Sequence, residues 1–349
     1  MKIKGFAGLE ETKKYFSTRG IDSKHIRNTD WFYTLPMAIG THLGNFSDEH
    51  SRLYEDTITY AVENGVNFID TAINYRGMRS ERDIGKVLEY LINENKTVKR
   101  EELVISTKGG QIFGDSQSGI KPIDYLEKIL IPQGILEGKD VNIADNHRHT
   151  LVPRFYKLSI ETSKESLGVE TIDIHYIHNP EISMHVLGPE IFYKQLEKLV
   201  EFYEEQVELG SIRFYGMATW DAFISDTDSR GYISLEKVME VVKAVAGEKH
   251  HFKFIQLPYN KFYNLANTKL NQSFKGKNYT AIEAANKLGL TVTISSPLNQ
   301  GEGLNEDNLS SKELLRYVIG TEGVYAAMVG TKTRAHLQEN LSGIFEDTY

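Results

Sequence analysis

A chain of 349 residues, 40% hydrophobic and 25% charged, is long enough to bury a large core and too mixed to be disordered or fibrous. Its net charge of −8 at pH 7 argues against nucleic acid or an anionic membrane as partner, because phosphate binding needs clustered excess Lys and Arg. With no cysteine it holds no disulfide, no thiol nucleophile and no thiolate metal site. The start, Met1-Lys2-Ile3-Lys4-Gly5, lacks the apolar core of a signal peptide, and no run approaches ~18 apolar residues. A soluble, cytoplasmic protein without a membrane partner is expected.

In chain order, residues 1–35 form a leader, expected as a hairpin or arm across the bottom of the main fold. Residues 37–41 read as a strand and 48–63 as a helix; 66–69 is a tight apolar strand and 80–95 a helix. Ser80 is its expected N-cap, with Glu81 and Asp83 in the first turn, where carboxylates suit the helix dipole. After a strand at 103–107 comes a stretch over 109–150 punctuated by Gly, Pro and Asp, with a short helix at 123–131. Helix 154–167 and strand 172–177 follow, then helix 192–209, closed by Gly210. Strand 214–218, helix 235–246, strand 254–257, helix 280–288, strand 291–295, helix 311–319, strand 325–329 and helix 334–341 complete the chain.

Eight strand–helix units without a composition break predict an α/β fold, a closed (β/α)8 TIM barrel, as one domain over 1–349. An open doubly wound sheet is the competitor, but its Gly-x-Gly-x-x-Gly fingerprint is absent. The long insertion after strand three, 109–150, leaves from the C-terminal end of a strand and is therefore expected at the catalytic face.

That face is where chemistry collects in such barrels, so polar residues at strand ends carry the argument. Strand two ends on Asp70, with Tyr75 five positions later; strand three ends on Lys108 and strand four on His178. Each alone has a plain explanation as a turn cap, a packing ring, a solvated cation or a core histidine. Together they suit proton transfer. A tyrosine hydroxyl, with an ordinary pKa of about 10, is a poor acid at neutral pH until an ammonium lowers it, and a carboxylate holds that ammonium in place. A neutral imidazole can orient the reacting oxygen. Such a set fits reduction of a carbonyl, where the oxygen needs a proton, better than hydrolysis. His147 and His149 lack a third ligand, so no metal is expected. His250-His251 reads as a solvated loop pair.

The segment Asn67-Phe68-Ile69-Asp70-Thr71-Ala72 with Tyr75, Ser80-Glu81 and Gly85 resembles the signature of the aldo-keto reductase superfamily. Further blocks agree in order: the Lys108 strand, the strand ending His178-Asn179-Pro180, Gly210-Ser211-Ile212-Arg213-Phe214-Tyr215-Gly216, Ser296-Pro297-Leu298-Asn299-Gln300-Gly301, and Val329-Gly330-Thr331 with Glu339-Asn340-Leu341. The resemblance runs from about residue 36 to 344 and leaves out the insertion. It implies an NADP(H)-dependent oxidoreductase, with NAD(H) as the lesser cofactor, that reduces a small aldehyde or ketone. Tyr75 would be the general acid, Asp70 and Lys108 its tuning pair, and His178 the residue aligning the substrate oxygen.

The same resemblance implies a cofactor groove. Gly40, Thr41 and Asp70 would flank the nicotinamide, and Thr219 and Gln256 would bind its carboxamide. Ser295, Ser296, Pro297, Leu298, Gln300 and Gly301 would turn around the pyrophosphate. Gly330, Thr331, Lys332 and His336 would surround the adenosine phosphate, and Glu339 and Asn340 would grip adenine. Three sites depart from the family pattern. Ala218-Thr219 stand where Ser-Asn is common, and Ser295 stands in place of a stacking aromatic, which either loosens the ring or leaves Trp220 or another aromatic to cover it. His336 replaces an arginine, for which Lys332 and Arg334 are the compensating cations. These departures keep open a non-catalytic nucleotide-binding subunit, for redox sensing or scaffolding. A Schiff-base enzyme using Lys108 is the other alternative. Substrate choice is expected from segment 109–150, segment 181–189 and the C-terminal tail.

Overall fold

Short runs of β-branched and apolar residues need cover on both faces, and parallel pairing with helical crossovers provides it. The computed structural model describes residues 2–305 and 309–346. Eight strands close into a parallel barrel: β1 (Met37–Gly40), β2 (Phe68–Asp70), β3 (Val104–Gly109), β4 (Ile172–His178), β5 (Ile212–Ala218), β6 (Phe252–Pro258), β7 (Thr291–Ser295) and β8 (Val324–Gly330). Each neighbours the next in sequence, and β8 pairs β1 to close the ring. The crossovers are α1 (Asp48–Glu63), α2 (Arg79–Leu88), α3 (Pro153–Leu167), α4 (Glu181–Glu208), α5 (Leu235–Ala246), α6 (Ala281–Lys287) and α7 (Ser311–Ile319), and α8 (Arg334–Phe345) follows β8. The expected (β/α)8 architecture is the one observed.

Strand alternation sorts the side chains. In β4, Ile174 and Tyr176 belong to the barrel interior, and Ile177 to the layer beneath the helices. The same alternation brings His178 out at the C-terminal mouth. At the opposite end the leader acts as a plug. A helix over Leu9–Ser17 precedes a hairpin of Arg27–Asn28 with Tyr33–Thr34, whose loop carries Trp31 and Phe32. The Trp31 ring lies 4.4 Å from Phe214, and Phe32 stacks on Phe254 at 6.1 Å. Arg27 fixes the hairpin by donating to the carbonyls of Ile319, Val324 and Tyr325.

Four local expectations are corrected. Ser80 does not cap α2; Met78 does, in a left-handed conformation, and the Ser80 hydroxyl instead donates to the Thr41 carbonyl at 2.8 Å. The helix expected to reach 95 relaxes into wider turns over Glu89–Glu94. The helix expected from 192 begins at Glu181 and is broken at Gly188, with φ 72° and ψ 167°, just before Pro189. Its first turns were hidden because Gly-Pro reads as a stop. His250 is buried, and His251 bonds Glu204 at 2.7 Å, so neither is a solvated loop residue.

The insertion has structure of its own. A short helix, Pro122–Tyr125, continues as a wide turn over Leu126–Leu130, where Leu126 and Leu130 pack with Ile73, Met78, Phe113 and Phe155. A hairpin pairs Asn142–Ala144 with His147–His149. Its two-residue turn, Asp145-Asn146, has φ of 46° and 65°, as a type I′ turn requires. Ser183 in the first turn of α4 holds the hairpin through Asn142 at 2.8 Å and His149 at 2.6 Å. Among the described residues no helix is long and apolar enough to cross a membrane.

Candidate active site

At the C-terminal mouth a cleft of about 930 Å³ runs from α8 across the barrel to the insertion hairpin. Asp70 and Lys108, at the ends of adjacent strands β2 and β3, meet there as an ion pair of 2.6 Å with both side chains buried. Lys108 also donates to the Thr71 carbonyl at 2.7 Å. Ser106 at 2.6 Å and the Gln256 amide at 3.1 Å both donate to the other Asp70 oxygen. Three donors thus hold the carboxylate from both of its oxygens. The Lys108 ammonium sits 5.0 Å from the centre of the Tyr75 ring, and the His178 ring lies 5.7 Å from it on another side.

The electrostatics correct one expectation. Burial pushes the Tyr75 hydroxyl above its ordinary pKa, and the pull of Lys108 does not overcome it because Asp70 opposes that pull. Tyr75 therefore holds its proton at neutral pH. Burial pulls Lys108 down, but Asp70 and Tyr75 outweigh it and hold the ammonium above the ordinary lysine range. His178 is kept well below its usual value, first by burial and then by Lys108, so the imidazole is neutral. Its Nδ1 is buried without a hydrogen-bond partner.

All the residues assigned above to the cofactor line this one cleft. Gly40, Thr41, Asp70, Thr219 and Gln256 lie near its centre, with Ser295, Ser296, Pro297, Leu298, Gln300 and Gly301 along one wall. Gly330, Thr331, Lys332, His336, Glu339 and Asn340 form the end by α8. A Cβ on Gly40 would stand 3.5 Å from the Gly330 backbone, an ordinary contact, so the pairing of β1 and β8 does not itself demand glycine there. Thr219 Oγ1 and Asn340 Oδ1 are buried with no partner, which a polar ligand would supply.

Arg334 does not join this end. Its guanidinium turns outward to Asp56 on α1, with Nε 2.8 Å from the carboxylate, so among the described residues Lys332 is the one Lys or Arg lining the cleft. Gln256 donates one of its two amide N–H groups to Asp70. Trp220 lines the cleft and remains 45% exposed. Of the tail, residues 347–349 lie outside the described residues.

Several site residues had no motif to mark them. Ser106 supports Asp70, while Asn74 bonds Gln111 at 2.9 Å across the mouth and His42 packs edge-on to Tyr75 at 4.7 Å. Ala144, Asp145 and His147 reach the cleft from the insertion hairpin, and Glu181, Ile182 and His185 from the first turns of α4. Alternating residues around Asp145-Asn146 were the one available signal for that hairpin.

Comparison with known proteins agrees with this fold. The sequence model of the Aldo/keto reductase family matches residues 36–308. D-threo-aldose 1-dehydrogenase from Pseudomonas sp is 27% identical over 150 residues, 41% of this chain and 40% of that protein. The NADH-specific methylglyoxal reductase of Escherichia coli (strain K12) is 27% identical over 169 residues, 48% of this chain and 41% of that protein. The match thus spans less than half the length of these curated relatives. In fold, an aldo/keto reductase from Klebsiella pneumoniae, solved with NADP and acetate, superposes with a TM-score of 0.61 at 16% identity, covering 94% of this chain and 92% of that one.

Proposed function

The chain belongs to the aldo/keto reductase family, and on that premise we propose that it reduces an aldehyde or ketone to an alcohol with a nicotinamide dinucleotide, NADP(H) in preference to NAD(H). The observation that carries this reading is the buried Lys108–Asp70 pair beside the Tyr75 ring, with neutral His178 facing the same ring.

When bound, the dinucleotide supplies hydride to the carbonyl carbon. The protein's task is the proton and the alignment. Tyr75, which keeps its proton at neutral pH, donates its O–H to the carbonyl oxygen as negative charge develops there. Lys108 stabilises the phenolate left behind, and Asp70, held by Ser106 and Gln256, keeps the ammonium within reach. His178 offers an uncharged ring nitrogen that orients the oxygen without competing as an acid.

The cofactor fits the unpaired groups of the cleft. Gly40 and Thr41 leave room for the nicotinamide; Thr219 and the remaining amide oxygen of Gln256 suit its carboxamide. The turn from Ser295 to Gly301 suits the pyrophosphate, Thr331, Lys332 and His336 the adenosine phosphate, and Glu339 and Asn340 the adenine. A charged Lys108 held by Asp70 is a poor Schiff-base nucleophile. Fluorescence titration with NADPH and NADH, followed by a carbonyl panel, tests the reading. Tight binding without turnover of any carbonyl would replace it with a nucleotide-binding scaffold.

A further inference from the structure

The start of the leader and the loop that runs from α2 into β3 border a groove of about 490 Å³ at the N-terminal end of the barrel, opposite the catalytic mouth. Its apolar lining is Ile3, Ile92 and Val98, and Lys2, Lys4, Lys96 and Lys99 stand around it. The chain bears a net charge of −8, so four lysines gathered on one groove run against its composition. Both walls are held in place. Ile3 donates to the Gly168 carbonyl at 2.7 Å and accepts from the Glu170 N–H at 2.9 Å, which fixes the backbone between Lys2 and Lys4. On the other wall the buried Arg100 guanidinium donates to the Leu103 carbonyl at 2.6 Å, the Thr171 carbonyl at 2.9 Å and the Asp173 carboxylate at 2.7 Å. Arg100 is thus spent on the fold. The lysines are not. Lys2 pairs with Glu165 at 2.7 Å, but Lys4, Lys96 and Lys99 are exposed and make no ion pair among the described residues. Glu101 is the only Asp or Glu among the lining residues, and its side chain leans against Gly5. One carboxylate cannot neutralise three ammoniums, whose mutual repulsion a multivalent anion would relieve. Lysine presents a compact point charge with three donors, which suits phosphate oxygens, whereas planar carboxylates are better matched by arginine. The volume is that of a metabolite-sized ligand, and a concave site favours a small molecule over a flat anionic surface.

We propose that this groove binds a small phosphorylated molecule carrying two or more negative charges, at a site separate from the catalytic cleft. The ligand bridges the leader to the barrel and stabilises the fold by mass action. Pyrophosphate is the probe, titrated calorimetrically into the full chain at fixed ionic strength, with saturating NADPH to fill the cleft and sodium chloride as the control. The wild type should bind it with a Kd below about 1 mM, and a tenfold excess over Kd should raise the melting temperature by about 2 °C. The double variant Lys96→Gln, Lys99→Gln should weaken binding about tenfold or more. Lys332→Ala in the cleft, and the double variant Lys275→Gln, Lys277→Gln on a hairpin outside the groove, should leave it unchanged. Loss in Lys332→Ala with retention in Lys96→Gln, Lys99→Gln would move the anion to the cleft. Equal weakening in the two lysine pairs would reduce it to diffuse attraction. Either result, or no effect beyond that of chloride, overturns the site and leaves the carbonyl-reductase reading untouched.

Discussion

At the scale of single residues the site depends on who holds a proton. Tyr75→Phe keeps the ring's packing and removes only the donor, so it should retain the fold and nucleotide affinity while losing about 10²–10⁴-fold in carbonyl reduction. Wild-type turnover in that variant would exclude Tyr75 as the acid. Because His178 is neutral well below its ordinary range and Tyr75 is protonated above its own, single-turnover reduction of butanal should be flat from about pH 6 to 8 and fall only on the alkaline side. An acid limb near pH 6.5 would mean that His178 titrates. Among the described residues Lys332 is the only Lys or Arg lining the cleft, since Arg334 is paired with Asp56. Lys332→Ala should therefore weaken NADPH about tenfold and leave NADH nearly unchanged, read as two dissociation constants. Equal losses would show that Lys332 does not read the phosphate. The backbone is also strained at these positions: Arg76, Asn179 and Ser296, each following a site residue, have φ of 48°, 53° and 51°. Such conformations cost about 1–3 kcal/mol each and persist only where the surroundings impose them.

At the scale of elements, two contacts decide how the mouth is built. Gly85 on α2 faces α3 so closely that a Cβ would stand 2.2 Å from the Ser166 carbonyl. Gly85→Ala should destabilise by about 1–3 kcal/mol despite the better helix propensity of alanine, because one helix must move. A melting temperature at or above wild type would show that the helices separate at no cost. The hairpin Asn142–Ala144/His147–His149 is held to α4 through Ser183 and contributes Asp145 and His147 to the cleft. Replacing it with a short Gly-Ser turn should change KM across a carbonyl panel more than it changes the melting temperature, since the hairpin lies outside the ring of barrel strands. Unchanged kinetics would remove the hairpin from the pocket wall.

At the scale of the molecule, buried titratable groups set the pH range of stability. His149 and His175 are pulled by burial to about 3 from an ordinary 6.5, so folding favours their neutral forms and they oppose folding progressively as pH falls from 6.5 toward 3. Glu81 and Glu181 are pushed by burial to about 7 and about 8 from 4.5; folding favours their protonated forms, a contribution lost as pH rises from 4.5 through those values. The two effects oppose each other between about 4.5 and 6.5. Below about 4.5 these glutamates are protonated in both states, while the histidines continue to act and Asp115, held low by Arg82, begins to lose its ion pair. Denaturant titrations should therefore find stability falling most steeply below about pH 4.5, and a profile level down to pH 3 would contradict the buried neutral histidines.

What the sequence determined by itself was the periodic part. Strand and helix order, barrel closure and the strand-end groups Asp70, Lys108 and His178, with Tyr75 in the turn after β2, were legible because alternation and helical period are local, and because the C-terminal end of a barrel strand opens on the mouth. The residues that line one cleft from Gly40 to Asn340 were legible through ordered motif blocks. What only the tertiary structure decided was the use each side chain makes of its neighbours. Ser80 left its cap for the Thr41 carbonyl, Arg334 turned away to Asp56, and Gln256 gave its amide nitrogen to Asp70. Glu181 was hidden because the Gly188-Pro189 break masked the helix that carries it. Tyr75 keeps its proton because desolvation outweighs a nearby ammonium, a balance set by every group packed around the ring and by no spacing along the chain.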